Sequence, residues 1–163
     1  MEYDRADKEV AEMSKIKVNE QRAVDEFQEL TAIDAPSFGE RQMADRLIVK
    51  LKELGFEVEE DNAGKHFGGN LYAYLPGDLP GDPVLLSGHM DTVEPSKGKK
   101  GIIGEDGVIR SAGKAVLGAD DVAGLVEILE GIHSVKEAGS TTPGYRDSFY
   151  NCRRALYQGQ QRI

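Results

Sequence analysis

The sequence predicts an α/β fold: a three-layer domain with a central mixed, largely parallel sheet flanked by helices. Two amphipathic helical patterns lie near residues 20–33 and 37–54, and three short strand patterns follow between residues 55 and 87. A hairpin pattern and a further helical pattern then extend to about residue 139. Because helices precede and follow the strands, a sheet with helices packed against its faces is the expected architecture.

Composition limits the class of protein. The 163 residues fit a single domain, and 39% hydrophobic with 30% charged residues is typical of a soluble globular chain. A net charge of −9 disfavours nucleic acid or an anionic membrane surface as partner. No apolar run approaches the roughly 18 residues of a membrane helix, and the first residues do not resemble a signal peptide. Cys152 is the only cysteine, so we expect no internal disulfide and a cytoplasmic location.

The first helix is predicted to begin at Glu20 and to end at the Asp34-Ala35-Pro36 turn. A second helix begins after Ser37, which forms a predicted capping box with Glu40. Apolar residues then recur at helical spacing, and Gly55 is the expected C-terminal cap.

Three strands are predicted at residues 55–60, 70–75 and 83–87. The third is the most apolar, which is expected of a central strand covered on both faces. Residues 101–110 predict a hairpin around Asp106-Gly107, and the last helix runs from Asp121 to about Gly139.

The chain divides into three predicted segments. Residues 1–18 form a polar extension, and residues 19–139 carry the α/β pattern. Residues 140–163 contain four arginines and a single acidic residue, and they show no helical or strand period. We therefore expect an aberrant tail from residue 140.

His89 and Asp91 follow the third predicted strand in the stretch LLSGHMDTVEP. Polar side chains at the carboxyl edge of an open α/β sheet are placed where such folds bind ligands. A neutral imidazole binds zinc, and a nearby carboxylate can hold its second nitrogen. The alternative is a strand-end histidine with an aspartate that caps the next turn.

Asp120 and Asp121 lie in the stretch GADDVAG, directly before the last helix. Two carboxylates at this place can simply complement the positive end of the helix dipole. Alternatively, Asp120 is a metal ligand, since one carboxylate can bridge two cations in a hydrolytic site.

Together, SGHMDTV and LGADDVAG resemble motifs of the zinc exopeptidase family that includes peptidase T, carboxypeptidases and aminoacylases. The tripeptidase (peptidase T-like) branch is the best match, and AVDEFQELTAIDAPS, LKELGFEVEEDNAG and GGNL are also similar to it. The likeness covers about residues 19–139 and implies the N-terminal portion of such a protein, without its lid or dimerisation domain.

The resemblance implies a site with two zinc ions (Zn2+) and a short peptide as substrate. His89 is then a zinc ligand, Asp91 is the catalytic residue that orients its imidazole, and Asp120 bridges both zincs. Asp121 has a supporting role. The lysine that commonly follows the acidic pair in the family is Val122 here. A homo-oligomer is a possible state of this chain.

In the family, a glutamate takes a proton from the attacking water. It belongs to a Glu-Glu pair expected soon after the last helix, and no such pair occurs there. We therefore expect a truncated chain with little or no activity. One set of codons for residues 140–155 also encodes PQHRDIEILFTIAEEL one base later, which suggests that the tail is a frameshifted reading.

Two other functions remain open from the sequence. The domain could be a noncatalytic interaction module in which the acidic sites bind metal weakly or not at all. It could also have a sibling activity, such as that of an aminoacylase or a carboxypeptidase.

Overall fold

The computed structural model describes residues 15–61 and 68–150, so residues 1–14 of the predicted extension and Cys152 lie outside it. The described helices are α1 (Glu20–Thr31), α2 (Arg41–Glu53) and α3 (Ala119–Glu137). The described strands are β1 (Glu57–Glu60), β2 (Leu71–Pro76), β3 (Val84–His89), β4 (Gly101–Ile103), β5 (Ile109–Ser111) and β6 (Gly144–Tyr150).

The three predicted helices are confirmed, and α1 begins where Asn19 caps it by accepting a hydrogen bond from the Arg22 backbone N–H. The capping box predicted for α2 is wrong. Ser37 donates its hydroxyl to Asp91 instead, and the Glu40 carboxylate accepts the backbone N–H of Phe38. Helix α2 therefore begins only at Arg41, after Glu40.

Strands β1, β2, β6 and β3 form one sheet, in that order. The sheet is mixed, as predicted: β6 pairs with β3 in parallel, whereas β1–β2 and β2–β6 are antiparallel. The prediction of a largely parallel sheet therefore does not hold for the described strands. The predicted hairpin is confirmed as the antiparallel pair β4–β5.

One of the two internal positions in the described sheet belongs to a strand that the sequence did not predict. Strand β6 comes from the predicted aberrant tail, in which the sequence shows no strand period, and it lies between β2 and β3. The prediction that residues 83–87 form a covered central strand is wrong in the described sheet, because β3 is at its edge and Leu85 is 67% exposed. An apolar run identifies a strand but does not specify its neighbours.

One hydrophobic cluster joins all three helices to one face of the sheet. Strands contribute Leu71, Ala73 and Phe149 to it. The opposite face exposes Tyr72 and Tyr74. The described residues thus form two of the three predicted layers, with the helices on a single face.

No helix among the described residues combines the length and the apolar character that crossing a membrane requires.

Candidate functional site

His89 is the last residue of β3, and its imidazole lies between two carboxylates. The Nδ1 atom is 3.2 Å from Asp91 Oδ1, and the Nε2 atom is 3.1 Å from Asp120 Oδ1. The structure therefore brings the three predicted site residues together at the carboxyl end of β3. Each ring nitrogen has its own acidic neighbour.

Asp91 is buried and held from its other side. Its Oδ2 accepts a 2.6 Å hydrogen bond from the Ser37 hydroxyl. The two segments lie side by side, because the Thr92 backbone N–H donates to the Ala35 carbonyl at 2.8 Å. A carboxylate fixed in this way can orient the imidazole that it contacts. Sequence reasoning missed this use of Ser37, and the 54-residue separation from Asp91 leaves no local signal of it.

Asp120 lies at the start of α3 and its side chain is 75% exposed. The chain enters the helix through Gly118, whose φ of +75° is in the left-handed region that favours glycine. A methyl group at this position would lie 3.0 Å from Thr92 Cγ2 and 3.1 Å from Lys99 Nζ. The buried Lys99 ammonium donates to Thr92 Oγ1 at 2.9 Å. Gly118 thus lets the loop before Asp120 pack closely against the segment after Asp91.

Asp121, next to Asp120, also contacts His89. Its Oδ2 is the acceptor of a 3.2 Å hydrogen bond from the His89 backbone N–H. Both members of the acidic pair therefore reach the same strand end, one at the side chain and the other at the backbone.

The carboxylates favour a protonated imidazole. The hydrogen bond to Asp91 raises the pKa of His89, burial acts in the opposite direction, and Asp120 raises the pKa further, to about 9. The electrostatic environment of the ring therefore attracts a cation, whether a proton or a metal ion.

The donor set fits part of a metal site. His89 Nε2 and Asp120 Oδ1 lie 3.1 Å apart and supply two donors, but zinc in proteins takes four ligands when structural and usually three when catalytic. Across residues 15–61 and 68–150, no group of three or more His, Cys, Asp or Glu side chains could hold a metal ion.

The chain is similar to several known proteins. No family model matches it. It is 39% identical over 123 residues to the uncharacterized protein YqjE of Bacillus subtilis. The structure superposes on a tripeptidase from Staphylococcus aureus with a TM-score of 0.82 and 33% identity. It superposes on the aminopeptidase PepT from Bacillus cereus with a TM-score of 0.80 and 34% identity. Each of these two superpositions covers 90% of this chain.

The chain resembles the tripeptidase branch of these peptidases. Its α/β fold is that of a part of a peptidase domain, as the sequence resemblance implies. The residues matched to YqjE make up 74% of this chain but only 33% of YqjE. This chain likewise spans 40% of each of the two solved proteins. The activities and substrates of those longer proteins are therefore proposals for this chain.

Proposed function

We propose that this chain carries part of a two-zinc peptidase site that acts on short peptides. In this proposal His89 Nε2 and Asp120 hold the metal, and Asp91 orients the imidazole. One observation supports it above the others: Asp91 engages Nδ1, so that Nε2 faces Asp120 at 3.1 Å. This is how a carboxylate–histidine–zinc arrangement directs the ligating nitrogen. A cytoplasmic location is also part of the proposal, and a homo-oligomer is one state that the chain could adopt.

Bound zinc would supply a Lewis acid that polarises the scissile carbonyl and acidifies water. The chain's own residues would position the groups that hold the metal. The Ser37 hydroxyl and the His89 ring both contact Asp91, so that the carboxylate keeps one orientation. The Asp120 carboxylate is exposed, so that its oxygens would be accessible to the two zinc ions of the proposed site.

We further propose that this chain alone has little or no peptidase activity. Within residues 15–61 and 68–150 the proposed site has two metal donors, fewer than zinc requires for tight binding. The Glu-Glu pair of the resembled family is expected soon after α3, and residues 138–163 contain no glutamate. Loss of a general base alone lowers a rate by about 10² to 10⁴.

Zinc titration by isothermal calorimetry tests the metal site. We expect weak binding to the wild-type chain and its loss in His89→Ala. The control is His133→Ala, which removes a half-buried histidine of α3 away from the site and should leave binding unchanged. A wild-type chain that binds no zinc, or equal binding by His89→Ala, would favour the noncatalytic interaction module.

A hydrolysis assay with tripeptides and added zinc or cobalt tests the activity. We expect turnover far below the roughly 1 to 10³ s⁻¹ of ordinary enzymes. Turnover within that range would contradict the proposed low activity. Faster cleavage of N-acyl amino acids than of tripeptides would instead favour the sibling activity of an aminoacylase.

A further inference from the structure

We infer that Asp121 is a positioning residue, which holds the backbone of His89 so that the imidazole faces Asp120. As a statement about a metal site, this inference rests on the proposed function. The contact itself is a property of the fold and can be measured without metal.

The two adjacent aspartates divide the contacts with His89 between them. Asp120 Oδ1 lies 3.1 Å from the imidazole Nε2, and Asp121 Oδ2 accepts the backbone N–H at 3.2 Å. The start of α3 is thereby joined to the end of β3 through a single residue. A shift of the strand end relative to the helix would disturb both contacts at once.

Two glycines make room for the Asp121 carboxylate. A methyl group at position 124 would collide with Asp121 Oδ1 and lie 3.0 Å from its Cγ. A methyl group at position 88 would lie 3.0 Å from Asp121 Oδ2. Glycine inside a helix or a strand is destabilising, so its use on both sides of one carboxylate indicates a packing requirement.

A simple helix-dipole role does not account for this placement. Asp121 is in the first turn of α3, but its backbone is not helical, with φ −115° and ψ 25°. The carboxylate reaches across to β3, where it accepts the N–H of the residue that carries the proposed ligand. A dipole interaction alone would not require the space left by Gly88 and Gly124.

Amide hydrogen exchange measured by NMR tests the contact in the metal-free chain. In Asp121→Ala we expect exchange of the His89 amide to accelerate about five- to tenfold, the factor that one lost hydrogen bond represents. Asp121→Asn keeps an acceptor oxygen and should restore the wild-type rate. The reference is the Ala44 amide of α2, which donates to the carbonyl of Glu40 before the helix and should not change.

A pair of glycine variants on α3 provides a matched control. Gly124→Ala should displace the carboxylate and act like Asp121→Ala. Gly131→Ala meets nothing within 4 Å and should leave the His89 amide at its wild-type rate. A His89 rate within twofold of wild type in Asp121→Ala, or equal acceleration of His89 and Ala44, would overturn the positioning role.

Zinc titration of the same variants separates the two proposals. If zinc binds to the wild-type chain, Asp121→Ala should weaken binding by about 10- to 100-fold, as loss of a partner behind a ligand does. Unchanged affinity would overturn the role in the metal site. If the wild-type chain binds no zinc, the proposed function fails, and the His89 exchange rate still decides whether Asp121 holds the strand end.

Discussion

Asp147 places a carboxylate inside the hydrophobic core. It is 1% exposed, and in the sheet it lies between Ala73 of β2 and Leu86 of β3. Within the part of the chain that the structure describes, neither carboxylate oxygen has a hydrogen-bond partner. Burial raises the pKa of Asp147 from 3.8 to about 7. The residue is therefore destabilising when it is ionised.

This pKa predicts the pH dependence of one variant. The folded chain holds a proton on Asp147 below about pH 7 that the unfolded chain releases above 3.8. The residue is therefore best tolerated in acid, and its contribution to stability falls as pH rises from 3.8 through about 7. We expect Asp147→Asn to stabilise the chain, by about 2 to 3 kcal/mol more at pH 8 than at pH 5.

Urea unfolding at both pH values measures this difference. The control is Asp82→Asn, because Asp82 is exposed and its replacement should change stability little at either pH. A stability gain for Asp147→Asn that is the same at pH 5 and pH 8 would contradict a raised pKa.

The site residues show what sequence can predict at this scale. His89, Asp91 and Asp120 were predicted from motifs, and the structure places them in contact. The contacts of Ser37 and Asp121 could not be predicted. Ser37 fits a capping pattern, and its actual acceptor is brought close only by the fold.

Helices α1 and α3 are joined by a buried carboxylate, Glu130. The Arg22 guanidinium donates to it twice, at 2.6 and 3.0 Å, and the Asn19 backbone N–H and the Ser134 hydroxyl also donate. Burial alone would raise the pKa of Glu130, but these donors, led by Arg22, lower it to about 2. The ionised form is therefore favoured, and its contribution to stability is lost only as pH falls from 4.5 through about 2.

Removing the arginine should be costly because it leaves this charge buried. We expect Arg22→Gln to destabilise the chain by about 3 kcal/mol at pH 7, measured by urea unfolding. Arg46→Gln is the matched control, since its partner Glu29 is 40% exposed and such pairs contribute at most about 1 kcal/mol. If both variants lower the free energy of unfolding equally, the contacts of Arg22 with Glu130 do not stabilise the packing of α1 on α3.

Elements with a clear apolar period or turn signal were predicted from the sequence. Strand β6 was not predicted, for a physical reason. The apolar spacings of α1, α2 and α3 and the Asp106-Gly107 turn are local signals. Strand β6 has no such signal, because its core-facing row is Tyr145, Asp147 and Phe149, with a carboxylate at its centre. The alternation that identifies a half-buried strand is therefore interrupted.

At the scale of the whole molecule, β6 is one of the two internal strands of the described sheet. It pairs on both sides, and Asp147 and Phe149 are buried against the core. A strand at this position should present an apolar row to the helices. With one permitted set of codons for residues 140–155, the frame one base later encodes isoleucine, isoleucine and phenylalanine in place of Tyr145, Asp147 and Phe149. The shifted reading thus removes the unpartnered carboxylate and keeps the phenylalanine.

We therefore expect the coding DNA for residues 140–155 to encode DIEILF and then Glu-Glu when it is read one base later. Sequencing the DNA tests this directly, and a shifted frame without Glu-Glu would contradict it.

A second measurement uses the protein. A chain that carries the shifted-frame residues at positions 140–155 should be more stable in urea at pH 8 than the present chain, because the buried charge is gone. Asp147→Ile alone should recover most of that gain, since the carboxylate is the main defect in the row. If the single change and the full replacement both leave stability unchanged, β6 tolerates its present sequence and the packing argument for a frameshift fails.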